Sequence, residues 1–321
     1  MSELRNPHDR FFQEVFGQPD AARDFVTHYL PPKVVGQLRL ETLEPAKGSF
    51  IDPELRAHLS DLLFRVELAS GGSSYLYLLF EHKSHPDPDT PFQLLRYLVR
   101  LWETHRRTHP TGPLPPVLPV VFYHGARRWR VARSFRERVK CPEEFIPYLP
   151  DFAYELCDLT TYTDQEIRGQ VVLRAALLAL KYAVRPDLID HLPYIFGLFR
   201  ELSQKNTGLE ALETLLRYLV CASDAVDSES LHRLLEENLP GKGDHLMPTI
   251  ADQWVQQGLD RGVDLGVHKG EAAVLVRLAT RKYGSLTEAH RGRIDASDAE
   301  TLLRWSERIL WAQSVDEVFE D

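Results

Sequence analysis

The chain is poor in cysteine, in long apolar runs and in net positive charge. Its 321 residues include three cysteines, Cys141, Cys157 and Cys221. They form no CxxC pair and cannot all bond to one another, which excludes a disulfide scaffold and a structural zinc site. A reducing compartment, the cytoplasm, is the expected location. No segment approaches the roughly eighteen apolar residues that cross a bilayer, and the opening MSELRNPHDR is too polar for a signal peptide. Acidic residues outnumber basic ones by 47 to 38, a net charge of −9. A molecule that binds polyanions over its whole surface is thereby excluded, and any nucleic-acid surface must be a local basic patch. None of the 13 histidines falls in HExxH or zinc-finger spacing, so none is assigned a metal.

What is present is an ordinary globular composition, 43% hydrophobic and 26% charged, in a chain long enough for two or three domains. Asn6 followed by Pro7 predicts a helix start, with Phe11, Phe12, Val15 and Phe16 on one face. A second short helix carries Phe25, Val26 and Tyr29 and stops before Pro31. Residues 38–44, 61–68 and 75–83 read as strands, the last two joined by a hairpin over 70–74. A long helix follows from Thr90, with Leu94, Leu95, Leu98, Leu101 and Trp102 inward, and then strands at 117–125 and 153–159. That order predicts an α/β mixed sheet flanked by helices, followed by an all-α C-terminal region. The boundaries fall at 1–163, 164–250 and 251–321.

The stretch LYLLFEHKSH, residues 76–85, starts as a buried strand and ends in charge. Glu81 and Lys83 are two apart and share a face, with His82 on the other. A hairpin centred on Gly71 sets Asp61 opposite Glu81, with Cβ atoms about 5 Å apart. Two carboxylates that close repel unless a cation lies between them. Mg²⁺ or Mn²⁺ takes such hard oxygen ligands, and Lys83 could hold a water or neutralise a phosphate. The competing reading is a solvated Glu81–Lys83 ion pair at a strand end.

Residues 127–140, RRWRVARSFRERVK, hold seven basic residues around a Trp, a composition that suits a phosphate backbone or a merely solvated face. Arg96, Arg100, Arg106 and Arg107 could extend it. Gly258, Gly262, Gly266 and Gly270 recur every four residues within 254–270. Each mid-helix Gly costs about 0.8–1 kcal/mol against Ala, so the segment reads as a closely packed interface helix, as in a homodimer, or as a linker.

Five stretches together carry a family resemblance: HDRFFQEVF (8–16), LSDLLFRV (59–66), LLFEHKSHPD (78–87), FQLLRYLVRLWE (92–103) and LPVVFYHG (118–125). They resemble the recombination-promoting nucleases of bacteria, also labelled transposase-31-like, within the PD-(D/E)XK nuclease superfamily. Residues 275–305 resemble a small helical domain found at the end of many such proteins. The resemblance implies an αβββαβ core and Mg²⁺- or Mn²⁺-dependent DNA hydrolysis, with Asp61 and Glu81 as metal acids and Lys83 as the motif lysine. Many family members carry Gln at the last position, and Ser60 stands where the superfamily motif has Pro. Asp9 matches an acid on the family's first helix, either a further metal ligand or a first-turn acid meeting the helix dipole. Gln93 either contacts the active-site acid or substrate, or is an exposed helix residue. Tyr123 and His124 close the fourth strand, near the cleft or in a turn with Gly125. The alternative function is a catalytically silent DNA-binding or oligomeric protein on the same scaffold. No DDE-type triad supports strand transfer.

Overall fold

A computed structural model describes residues 6–46, 62–70, 75–200, 202, 206–223 and 226–319. Helices α1 (Pro7–Phe16), α2 (Pro19–Tyr29) and α3 (Pro32–Val35) lead into strand β1 (Leu38–Pro45). Then come β2 (Leu62–Leu68), β3 (Tyr75–Lys83), helix α4 (Thr90–Thr108), β4 (Val117–Tyr123) and β5 (Glu155–Asp158). The α1 start follows the sequence: Asn6 Oδ1 accepts from the His8 amide at 3.1 Å, and Pro7 needs no donor partner there.

The strands form one mixed sheet in the order β1-β2-β3-β4-β5, antiparallel across β1, β2 and β3 and parallel from β3 to β5. The β2–β3 pairs run from Leu62↔Phe80 to Glu67↔Tyr75, a hairpin centred on position 71 as read from the sequence. In β3↔β4, Glu81 lies beside Val121 and Lys83 beside Tyr123.

Each face of the sheet has its own core. On one, Phe12, Phe16 and Phe25 of α1 and α2 meet Phe80 and Phe122. On the other, Leu94, Tyr97 and Leu101 of α4 pack with Leu63, Val121, Tyr123, Trp129 and Tyr154. Each buried side chain of this size contributes roughly 1.5–3 kcal/mol. Strand alternation then sends Phe80 and His82 to the α1 side and Glu81 and Lys83 to the α4 side.

Beyond the sheet come α5 (Val171–Ala183), α6 (Leu188–Leu198), α7 (Asn206–Ala222) and α8 (Ser228–Asn238). Helix α7 returns to α1: the Tyr218 ring stacks on Phe11 at 4.0 Å, and its hydroxyl is 2.8 Å from His8 Nδ1. Residues Met1–Ala251 form one compact unit and Asp252–Asp321 a second. Helix α9 runs Gly243–Tyr283, so residues 254–270 are helical. The second unit continues with α10 (Glu288–Ala296), α11 (Ala299–Arg308) and α12 (Val315–Val318) around Leu275, Ala279, Ile294, Leu302, Trp305 and Phe319. Among the described residues no helix is long and apolar enough to cross a membrane.

Candidate active site

Glu81 is 2% exposed, an unusual position for a carboxylate, and its two oxygens are treated differently. Oε1 takes Lys83 Nζ at 3.0 Å and the Gln93 amide nitrogen at 3.0 Å. Oε2 is buried and has no hydrogen-bond partner. Gln93 works in both directions: its Oε1 accepts from Lys83 Nζ at 2.8 Å, and its Nε2 also donates to the Tyr97 hydroxyl at 2.6 Å. Lys83 Nζ lies 3.6 Å from Asp87 Oδ2 as well.

Local sequence builds this arrangement. Asp87 turns the chain out of β3: its Oδ1 accepts from the Asp89 amide at 2.9 Å and its carbonyl accepts from Thr90 Oγ1 at 2.8 Å. That starts α4 with Pro91 in its first turn. Gln93 follows in that turn, with Tyr97 four residues on along the same face. Tyr97 and Asp87 were missed in the sequence, although Gln93-x-x-x-Tyr97 is a legible i,i+4 pair.

The structure therefore brings Glu81, Lys83 and Gln93 together. Asp61 lies outside the described residues. Asp9 is placed elsewhere: its Oδ1 is 2.7 Å from Nδ1 of His82, which is on the opposite face of β3 from Glu81. Among the described residues no group of three or more His, Cys, Asp or Glu side chains is disposed to hold a metal. The unpartnered Oε2 of Glu81 is a hard oxygen donor of the kind that a divalent cation takes.

His82 belongs to a second cluster. Its ring stacks on His124 at 4.8 Å, and His8 approaches His124 at 4.9 Å. The acceptors fix two tautomers: Nδ1 of His82 donates to Asp9, and Nδ1 of His124 donates to the Leu180 carbonyl at 3.0 Å. Their Nε2 atoms remain buried without partners. Burial, and then the neighbouring His82, depress the His8 pKa to about 4. Burial, His82 and His8 push His124 well below the usual histidine range. Tyr123 and His124 are thus buried on opposite faces and do not line an open cleft. Trp129, the aromatic of the basic segment, is also buried: its Nε1 donates to Tyr154 Oη and its amide to Asp158 Oδ2, each at 3.0 Å. It anchors that segment and offers no ring to a base.

Fold and site together define an α/β protein whose central strand carries a buried acid–lysine pair held by a glutamine. The chain belongs to the family described as "Putative transposase, YhgA-like", which matches residues 6–210. It is 30% identical over 302 residues to the inactive recombination-promoting nuclease-like protein RpnE of Escherichia coli K12, covering 93% of this chain and 97% of that one. It is 30% identical to the recombination-promoting nuclease RpnD of E. coli O157:H7, over 77% of this chain and 93% of the relative. It is 31% identical to the recombination-promoting nuclease RpnA of E. coli K12, over 78% and 84%. No solved structure matches the chain.

Proposed function

We propose that this chain is a divalent-cation-dependent DNA endonuclease with a PD-(D/E)XK-like core, its chemistry centred on Glu81, Lys83 and Gln93 with Asp61 as second acid. The observation that carries this reading is the split Glu81 carboxylate, one oxygen held by Lys83 and Gln93 and the other buried and unpartnered. Asp61 is chosen because it immediately precedes Leu62, whose partner Phe80 immediately precedes Glu81. Glu81 and Asp61 would hold Mg²⁺ or Mn²⁺, which would supply Lewis acidity toward a phosphodiester. Lys83 brings a positive charge to the same point and can exchange its bond to Glu81 Oε1 for one to a phosphate oxygen or an attacking water. Gln93 keeps the carboxylate and the ammonium oriented while that exchange takes place. Names of relatives such as RpnD and RpnA support DNA recombination as the setting.

Plasmid nicking tests the proposal. Wild-type protein should nick with Mg²⁺ and not with EDTA, and Glu81→Gln and Asp61→Asn should be inert while still folded. Cleavage by either variant at the wild-type rate would overturn the assignment. A second reading is a silent DNA-binding protein, favoured by the full-length match to a relative named inactive. Wild-type protein that binds DNA but never nicks it selects that reading.

Self-association through α9 is part of the proposal. Leu259, Gly266, Val267, Gly270, Val274 and Leu278 are exposed and fall within about a third of the helix circumference. This apolar stripe with small residues suits a second copy of the same helix.

A further inference from the structure

Strands β4 and β5 are parallel neighbours, so the chain must cross back from Tyr123 to Glu155. Such a crossover is ordinarily an α-helix. Here residues 124–154 contain only short 3-10 turns, at Arg136–Arg138 and Glu143–Tyr148. An irregular connection well beyond about 12–15 residues in a compact unit is usually a functional one.

This connection reaches the site. Arg138 Nη2 donates to Asp89 Oδ1 at 3.0 Å, and the Asp89 amide donates to Asp87, which faces Lys83. The connection has two limbs closed at a neck by the Ser134↔Ala153 bridge and the Phe135–Phe152 ring stack. Trp129 and Phe135 point inward and pin the first limb. Every cation on that limb is then turned to solvent: Arg127, Arg128, Arg130, Arg133, Arg136, Arg138 and Lys140. Arg133 and Arg138 have carboxylate partners, Glu155 at 3.8 Å and Asp89 at 3.0 Å. Among the described residues the other five have no ion pair. The limb's own acid, Glu137, is occupied by the Ser134 amide and hydroxyl. Like charges gathered on one surface repel one another and attract a polyanion that supplies the countercharge.

The second limb adds rings. Phe145 is 57% exposed and Tyr148 84% exposed, while Ile146 and Leu149 between and beside them face a cavity of about 430 Å³ shared with Arg136, Val139 and Cys141. Glu143 and Glu144 at its start are exposed acids. At the start of α4, Phe92 is 54% exposed beside Gln93. In a duplex the faces of the bases are already stacked, so exposed rings gain partners only from unpaired bases.

We propose that residues 127–149 form a binding track for a single-stranded segment of the DNA substrate, in which the cations take phosphates and Phe145 and Tyr148 take unstacked bases. The proposal rests on the nuclease reading of the Glu81 site. It is tested by binding, so the two can fail separately. Full-length Glu81→Gln in EDTA is titrated with a fluorescein-labelled DNA oligonucleotide as a single strand, as its blunt duplex, and as the RNA of the same sequence. The single DNA strand should bind most tightly. Phe145→Ala/Tyr148→Ala should weaken it by about fivefold or more per ring, with duplex affinity and melting temperature unchanged. Arg127→Gln/Arg130→Gln should weaken both DNA forms and lower the single-strand salt slope by about 0.7 per charge removed. Equal affinity for strand and duplex with an unaffected ring variant overturns the single-strand assignment. Tighter RNA binding overturns DNA as the ligand, and no binding to any probe overturns the track. If ring-dependent binding appears but wild-type protein with Mg²⁺ never cuts, the nuclease reading fails while the track stands.

Discussion

Gln93 reaches Glu81 through a single oxygen: its amide nitrogen lies 3.0 Å from Oε1 and leaves Oε2 alone. Gln93→Ala should therefore leave Glu81, Lys83 and Tyr97 each short of one partner. The expected cost is about 1–3 kcal/mol of stability, read by urea denaturation, together with a clear loss of nicking rate. Tyr97→Phe removes only the hydroxyl behind Gln93 and should lower the nicking rate less. A Gln93→Ala protein as active and as stable as wild type would remove Gln93 from the site.

Lys83→Ala should be strongly destabilising in EDTA, because it strips a buried carboxylate of its cation. Breaking a buried pair on one side typically costs about 3–5 kcal/mol. Adding Glu81→Gln to Lys83→Ala should restore most of that loss, and Mg²⁺ should raise the melting temperature of Lys83→Ala more than that of wild type. Lys83→Gln should keep some nicking activity, since its amide can still bond Gln93. Additive effects of the two substitutions in thermal melts would show that Glu81 and Lys83 are energetically independent.

Acid stability reports the histidine stack. His8, at about 4, and His124, well below the ordinary value, stay neutral in the folded chain. In the unfolded chain both take protons near the usual 6.5. The unfolded state then binds more protons, so stability is full above about pH 6.5 and falls as the pH drops toward 4. One such proton accounts for up to about 1.4 kcal/mol per pH unit. His124→Phe keeps a ring in the stack and removes one titration. Its stability relative to wild type should improve as the pH falls across that window, and parallel curves for the two proteins would contradict the burial argument.

Gly262→Leu/Gly266→Leu should convert a dimer to a monomer if α9 pairs with its copy through the stripe, with mass followed by light scattering. A wild-type chain that is monomeric at micromolar concentration, or a double variant of unchanged mass, rules out pairing there.

Much of this was legible in the sequence because it depends on local chemistry. The Asn6–Pro7 start of α1, the ends of β3 and the hairpin register follow from capping, strand alternation and turn position. Glu81 and Lys83 could be placed on one face for the same reason. Asp9 could not be located, because its partner His82 is distant in the chain and only packing decides which face α1 covers. The second face of Gln93, toward Tyr97, was within reach of helical spacing. The basic stretch around Trp129 suited a phosphate backbone or a solvated face equally, because composition does not tell a buried anchor from an exposed platform; Trp129 is the anchor, and the exposed rings, Phe145 and Tyr148, lie on the following limb.

The alternation along β3 also guards the strand against misalignment. A slip of one residue against β2 or β4 would turn Glu81 and Lys83 toward Phe12, Phe16 and Phe25, away from Gln93, and would bring Phe80 and His82 to the α4 side, away from Asp9. A slipped chain would bury two charges without their glutamine, at a cost of several kcal/mol. The residues proposed for chemistry thus double as a register lock. A one-residue insertion between Leu68 and Tyr75 can be absorbed only by lengthening the turn, because the strand itself cannot shift to take it up.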